Sequence, residues 1–231
     1  MQTLTVLSGG AAQGLFASIE EAFRDRHGCA IDGTFGAVGA MRAKLADGHP
    51  ADVVVLTAAI LRDLAAAGDV IVETVADVGR VETAIAVRGD DPAPDVADAA
   101  RLKQALMGAD AVYFPDPVQA TAGIHFASVL ERLGIAAELK PRLRTFPNGA
   151  TAMRALAAST DRRPIGCTQV TEILSTPGIR LIAPLPKGCD LATTYTAGVV
   201  ARSPNTDAAR ALVALLAGPG MADIRSRCGF T

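Results

Sequence analysis

The chain has 231 residues, half of them hydrophobic, with 22 Lys and Arg against 24 Asp and Glu and a net charge of −2. Such a chain can build a sizeable core in one large or two smaller domains, and it lacks the clustered positive charge of a nucleic-acid binder. No apolar run reaches the about 20 residues a bilayer span needs, which excludes membrane insertion as a helix. The four cysteines, Cys29, Cys167, Cys189 and Cys228, have no C-x-x-C spacing, and the three histidines, His27, His49 and His125, stand apart. Buried free thiols are expected, with neither a metal site nor a cofactor.

In chain order, the apolar run Leu4 to Leu7 enters "LSGGAAQGLF", a strand that passes through Ser8, Gly9 and Gly10 toward a helical pattern at Ala17 to Arg26. A strand, a short Gly-rich turn and a helix leave first-turn amides unpaired, and their partial positive charge favours an anion. Ser as a cap and Gly as a tight turn explain the same residues without any ligand, so the motif alone decides nothing. The run Ala30 to Phe35 leads into Gly36, Ala37, Val38 and Gly39 and a helix over Ala40 to Ala46. Arg42, one turn inside that helix, is placed on a solvated face. Asp52 to Leu56 leads to Thr57, positioned as the cap of a helix over Ala59 to Ala67.

Further strands are predicted at Thr83 to Val87, Ala111 to Phe114, Leu143 to Phe146, Ile165 to Cys167, Ile179 to Pro184 and Thr193 to Val200. Helices are predicted at Gly123 to Leu133, Ala150 to Ala158 and Asp207 to Leu216. Alternation of this kind reads as βαβ units on mainly parallel sheets, whose ligands sit beyond the carboxyl ends of the strands. Three more such ends carry small or polar residues: Thr121, Ala122 and Gly123; Asn148 and Gly149; Cys167, Thr168 and Gln169. None of these turns holds a Lys or Arg.

The stretches Val81 to Asp95 and Leu191 to Asn205 share a β-rich run ending in a Pro-containing turn. If both are crossings, residues 1–83 with 195–231 form one lobe and 84–194 the other, with a ligand cleft between them. The alternative, two long strands of a single sheet, fits the pattern equally well.

With these residues assembled, the chain resembles the molybdate-binding branch of the type 2 periplasmic solute-binding proteins over nearly its full length. The resemblance is carried by "LSGGAAQGLFASIEEAF", "GTFGAVGAMRAKLADGHPADVVVLTAAILRDLAAAGDV", "DPVQATAGIHFASVLERLGI", "FPNGATAMRAL" followed by "PIGCTQVTEIL", and "ALLAGPGMADIRSRCGF". It implies a two-lobed α/β fold that closes on an oxyanion held by helix N-termini and hydroxyls. Position by position, Ser8 matches the family's first ligand serine, Ala37 and Val38 lie where it has a second serine, and Ala122 and Gly149 match backbone donors. Gln169, or its neighbour Thr168, stands near the place of a ligand tyrosine. With two side chains replaced, a pocket that includes Thr121, Thr168, Gln169 and Asn148 suits a polycarboxylate at least as well as molybdate.

The resemblance implies a monomeric receptor that delivers a small oxyanion or carboxylate to an ABC permease, in the periplasm if a leader has been removed. A start at Met1 without a signal pattern fits the cytoplasm instead. The resemblance extends to aconitate isomerase, so an enzyme that shifts a double bond in a tricarboxylate is the alternative. Such a proton shift needs a base and donors for the enolate-like charge. The candidate bases are His125, Asp116 and Glu172, each with a simpler reading as a packed side chain, a turn residue or a helix-start carboxylate.

Overall fold

The computed structural model describes residues 2–231; Met1 lies outside the described residues. The chain divides into two compact units, Met1–Val81 with Thr193–Thr231 and Glu82–Ala192.

The first unit opens with β1 (Gln2–Gly9), α1 (Gln13–His27), β2 (Cys29–Gly36), α2 (Val38–Ala46), β3 (Val53–Thr57), α3 (Ala58–Ala66) and the first part of β4 (Ala76–Arg88). β1 is paired in parallel with β2 on one side and β3 on the other. Because parallel neighbours need a crossover, α1 and α2 each carry the chain back to the start of the next strand. Leu4, Val6 and Leu7 of β1, Val53–Leu56 of β3, Leu15, Ile19 and Phe23 of α1 and Leu61 of α3 are all buried. α1 stops at Gly28, whose φ of 63° reaches the left-handed region that glycine enters without steric cost, and whose amide closes on the Arg24 carbonyl.

The second unit contains the rest of β4, then α4 (Ala99–Gly108), β5 (Ala111–Pro115), α5 (Thr121–Arg132), α6 (Ala136–Leu139), β6 (Leu143–Phe146), α7 (Gly149–Ala157), β7 (Pro164–Gln169), α8 (Val170–Leu174) and β8 (Ile179–Pro184). β5 is paired in parallel with β6 and β7, while β4 runs antiparallel to β7 and β8. Its core gathers Ile85, Leu102, Leu106, Val112, Phe126 and Leu130, with Phe114 set edge-on to Phe126 at a centroid distance of 5.3 Å. β9 (Ala192–Val199), antiparallel to β3, returns the chain to the first unit, which α9 (Thr206–Ala217) and α10 (Ala222–Arg227) complete.

Each strand expected from the sequence forms, so the mixed α/β, two-lobed class holds, with antiparallel strands added to each parallel trio. The structure adds α4, α6 and α10, which the sequence reading did not place, and extends β4 back to Ala76. Cys29, Cys167 and Cys189 are buried free thiols, whereas Cys228 is only partly covered and departs from that expectation.

Asp52, 2% exposed, is the polar anchor of the first unit. Its Oδ2 accepts from the Thr5 amide at 2.8 Å and the Thr5 hydroxyl at 3.0 Å, and its Oδ1 from Ser203 Oγ at 2.6 Å and Asn205 Nδ2 at 3.1 Å. Removing the carboxylate leaves these donors facing a cavity. Asp52→Ala is therefore expected to lower the unfolding free energy by about 2–4 kcal/mol, read as a lower urea midpoint with an unchanged slope.

Candidate functional site

In the first unit, parallel register brings three strand ends level. Ser8 lies opposite Phe35 of β2 and Val55 of β3, and Gly9 lies opposite Gly36. Ser8 is fully buried and donates its hydroxyl to the Gly9 carbonyl at 2.9 Å. β1 does not enter α1 directly: a turn of 3₁₀ helix over Gly10–Ala12 intervenes, so Gly9 and Gly10 introduce that turn rather than the helix. Ala37, extended at φ −59° and ψ 137°, is the N-cap of α2, and both it and Val38 are buried while Gly39 is half-buried. Thr57 occupies the N-cap of α3, but its hydroxyl makes no capping bond, which corrects the expected role. With no side-chain cap on α2 or α3, their first-turn amides keep their donor capacity. Arg42 faces Asp63 at 3.8 Å with both side chains about half exposed, as a solvated face requires.

One residue at these strand ends escaped the sequence reading. Tyr195 of β9 is paired with Thr57, and its ring lies over Gly9: a Cβ on Gly9 would stand 2.9 Å from Tyr195 Cε1 and 3.0 Å from Val38 Cγ1. Gly9 is thus required by close approach. The ring is also set edge-on to Phe230, at 6.4 Å between centroids. The available signal was that Tyr195 is one of only two tyrosines in the chain and falls in a strand.

The second unit repeats the layout at the carboxyl ends of β6, β5 and β7, which are followed by α7, α5 and α8. α5 begins at Thr121, half-buried, with Ala122 buried behind it and no side-chain cap. Gly123 packs so tightly on the preceding turn that a Cβ would overlap the carbonyl oxygens of Pro115 and Asp116. Asp116 holds that turn, its Oδ1 accepting from the amides of Val118 at 2.7 Å and Gln119 at 2.9 Å. His125 donates from Nε2 to the Cys189 carbonyl at 2.7 Å, tying α5 to the turn after β8. Two of the three candidate bases are therefore engaged in holding backbone.

The third, Glu172, is a different case. It is 5% exposed and accepts from the Thr168 hydroxyl at 2.6 Å. Burial raises its carboxyl above the ordinary value, opposed by the Thr168 hydroxyl and by the nearby backbone amides of Ala150, Gln169 and Gly149. Two of these amides belong to the first turn of α7, so Glu172 acts as an internal anion at that helix start. It also dictates Gly149, where any Cβ would overlap Glu172 Oε2 and Thr168 Oγ1. Asn148 caps α7, its Oδ1 accepting from the Thr151 amide and the Thr151 hydroxyl, each at 2.9 Å. Gln169 is 2% exposed at the end of β7, and neither its Oε1 nor its Nε2 has a partner. Among the described residues no cluster of three or more His, Cys, Asp or Glu could hold a metal, and no helix is long and apolar enough to cross a membrane.

The chain belongs to the bacterial extracellular solute-binding proteins, whose family profile matches residues 4–231. It is 30% identical over 221 residues to the aconitate isomerase of a Pseudomonas species, covering 93% of this chain and 82% of that protein. Two solved structures share the fold. The periplasmic molybdate-binding protein of Azotobacter vinelandii superposes with a TM-score of 0.82 at 16% identity, covering 99% of this chain and 98% of that one. The sulfate-binding protein of Mycobacterium tuberculosis gives 0.76 at 17% identity, covering 100% and 86%.

The raised carboxyl of Glu172 carries a sign. Folding favours its protonated form, so this contribution to stability is complete below the ordinary carboxylate value and is lost as pH rises through the raised one. Glu172→Gln cannot titrate. The stability of the native protein relative to Glu172→Gln is expected to fall as pH is raised from about 4 toward neutrality, measured by urea unfolding of both proteins across that range.

Proposed function

We propose that the chain is a receptor for a small oxyanion or polycarboxylate, and that each unit offers ligand groups of its own. The observation that supports this is the repeated strand end. Parallel strands in each unit finish level, and most turn into helical segments that open on small residues, among them Gly10–Ala12, Ala58–Ala59, Thr121–Gly123 and Gly149–Thr151. In the first unit the groups are Ser8, Gly9, Gly10, Ala37, Val38, Gly39 and Thr57. In the second they are Thr121, Ala122, Asn148, Gly149, Thr168 and Gln169. Their donors are amides, hydroxyls and a carboxamide, which hold an anion without a counter-charge and without a cofactor; the Ser8 and Thr168 hydroxyls and the first amides of α7 exchange their internal acceptors for the ligand. The molybdate- and sulfate-binding proteins of similar fold take oxyanions by their names, in keeping with this reading. As a member of the family, the protein is proposed to act as a monomer in the periplasm, handing its ligand to an ABC permease.

The likeness to an aconitate isomerase favours a second reading, an enzyme that moves a double bond within a bound tricarboxylate. Glu172 is the group such a reading must use, because Asp116 and His125 are bonded to backbone. Its carboxyl, three residues after Gln169, is buried, and that burial raises its proton affinity above the ordinary carboxylate value.

A thermal-shift panel of molybdate, tungstate, sulfate, citrate and both aconitates tests the first reading. An anion at about 100 times its Kd is expected to stabilise the fold by about 2.7 kcal/mol, a rise of several degrees in Tm. If no anion raised Tm, the receptor reading would be wrong. Proton NMR of either aconitate incubated with the protein separates the two readings: appearance of the other isomer establishes turnover, and an unchanged spectrum leaves a carrier.

A further inference from the structure

Within the second unit, Thr83, Gln169 and Thr171 have buried side-chain polar atoms that the protein itself does not satisfy, and Thr83 and Gln169 are a facing pair. Thr83 on β4 lies directly opposite Gln169 on β7 in an antiparallel ladder. Directly opposed residues share a face of the sheet, with Cβ atoms about 4.5–5.5 Å apart. Thr83 is 1% exposed and Gln169 2%, yet Thr83 Oγ1, Gln169 Oε1 and Gln169 Nε2 all lack a hydrogen-bond partner. The neighbouring Thr168, which points to the other face, is bonded to Glu172. Buried polar atoms without partners are rare and costly, and three on one face at the carboxyl end of a strand mark a place where binding supplies the partners.

The chemistry of the three atoms restricts what can bind. Gln169 Nε2 brings two N–H donors and Thr83 Oγ1 one O–H donor, all suited to an anionic oxygen. Gln169 Oε1 is acceptor only, so it needs a donor on the ligand. A fully deprotonated tetrahedral oxyanion has none, and neither has a bare carboxylate. An ammonium group brings three donors to one neutral carbonyl and leaves the rest unmatched. A hydroxyl next to a carboxylate fits: its O–H donates to Oε1, its oxygen accepts from Thr83, and the carboxylate accepts from Nε2.

We propose that Thr83 and Gln169 together read a hydroxyl adjoining a carboxylate, so that the ligand class is a hydroxycarboxylate. This rests on the receptor reading above and narrows it. Thr83 thereby becomes a specificity-determining residue that the sequence reading did not single out.

Isothermal titration of the unmodified protein with two matched pairs, citrate against tricarballylate and malate against succinate, isolates one hydroxyl at a time. The hydroxylated member of a binding pair is expected to bind at least about tenfold tighter, because its partner leaves buried polar atoms unmatched. Thr83→Val and Gln169→Met are expected to shrink that ratio to about twofold, and Thr83→Ser to retain it. The comparison in the unmodified protein stands by itself should either variant fail to fold. Equal affinity within each pair, or molybdate or sulfate binding tighter than any hydroxycarboxylate, overturns this inference while the receptor reading survives. Absence of binding by every anion overturns both.

Discussion

Level strand ends are the constraint on which the rest of each unit depends. Parallel pairing of β1 with β2 and β3 sets Ser8 against Phe35 and Val55, so three strands finish at one edge. Parallel neighbours cannot be joined by hairpins, and each strand must therefore pass into a helix at that same edge. Every such passage leaves first-turn amides without intrahelical partners, all facing the same end of the sheet. The donors gathered there follow from topology before any side chain is chosen.

Side chains then refine what topology supplies. Where backbone must approach backbone or a ring, the chain uses glycine: Gly9 under Tyr195, Gly123 against the Pro115 and Asp116 carbonyls, Gly149 against Glu172 and Thr168. None of these three requires a left-handed backbone; space alone excludes a Cβ. Glu172 shows the same economy with charge. A buried carboxyl at the start of α7 is tolerable because a hydroxyl and several amides surround it, and the burial that raises its proton affinity also shields those amides from water.

Much of this was legible in the sequence, and what was not has identifiable causes. β6 and β8 form over the very residues their apolar patterns indicate, and α2, α3 and α7 begin within two residues of the expected positions. The four-residue α6 and six-residue α10 are too short to display a period of 3.6. α4 is longer and carries a real signal, Asp98 accepting from the Arg101 amide at 2.9 Å, but it follows a Pro-rich stretch that reads as linker. The early part of β4 has polar and glycine residues among its apolar ones, so its alternation is broken. At the candidate site, helix starts and their small residues were visible because each is local in sequence. The Tyr195 ring over Gly9, and Thr83 opposite Gln169, arise from pairing between distant segments, which no local pattern encodes.

The distinction between a carrier and an isomerase on this fold comes down to the fate of one proton. Neutral donors at helix starts stabilise a bound carboxylate and an enolate-like charge alike, so they serve both roles without changing position. What an isomerase adds is a group able to take a proton from carbon and return it elsewhere. Asp116 is committed to its turn and His125 to the Cys189 carbonyl, each through bonds that hold backbone in place. Glu172 combines a raised proton affinity with a place beside the residues proposed to touch ligand, but its carboxyl is held by Thr168 and lies against Gly149. To reach a substrate carbon it must exchange those contacts for the substrate, which loosens the start of α7 in the same step. Catalysis by this route would therefore couple proton transfer to the helix end proposed to bind the ligand, whereas transport would ask only that the end remain intact.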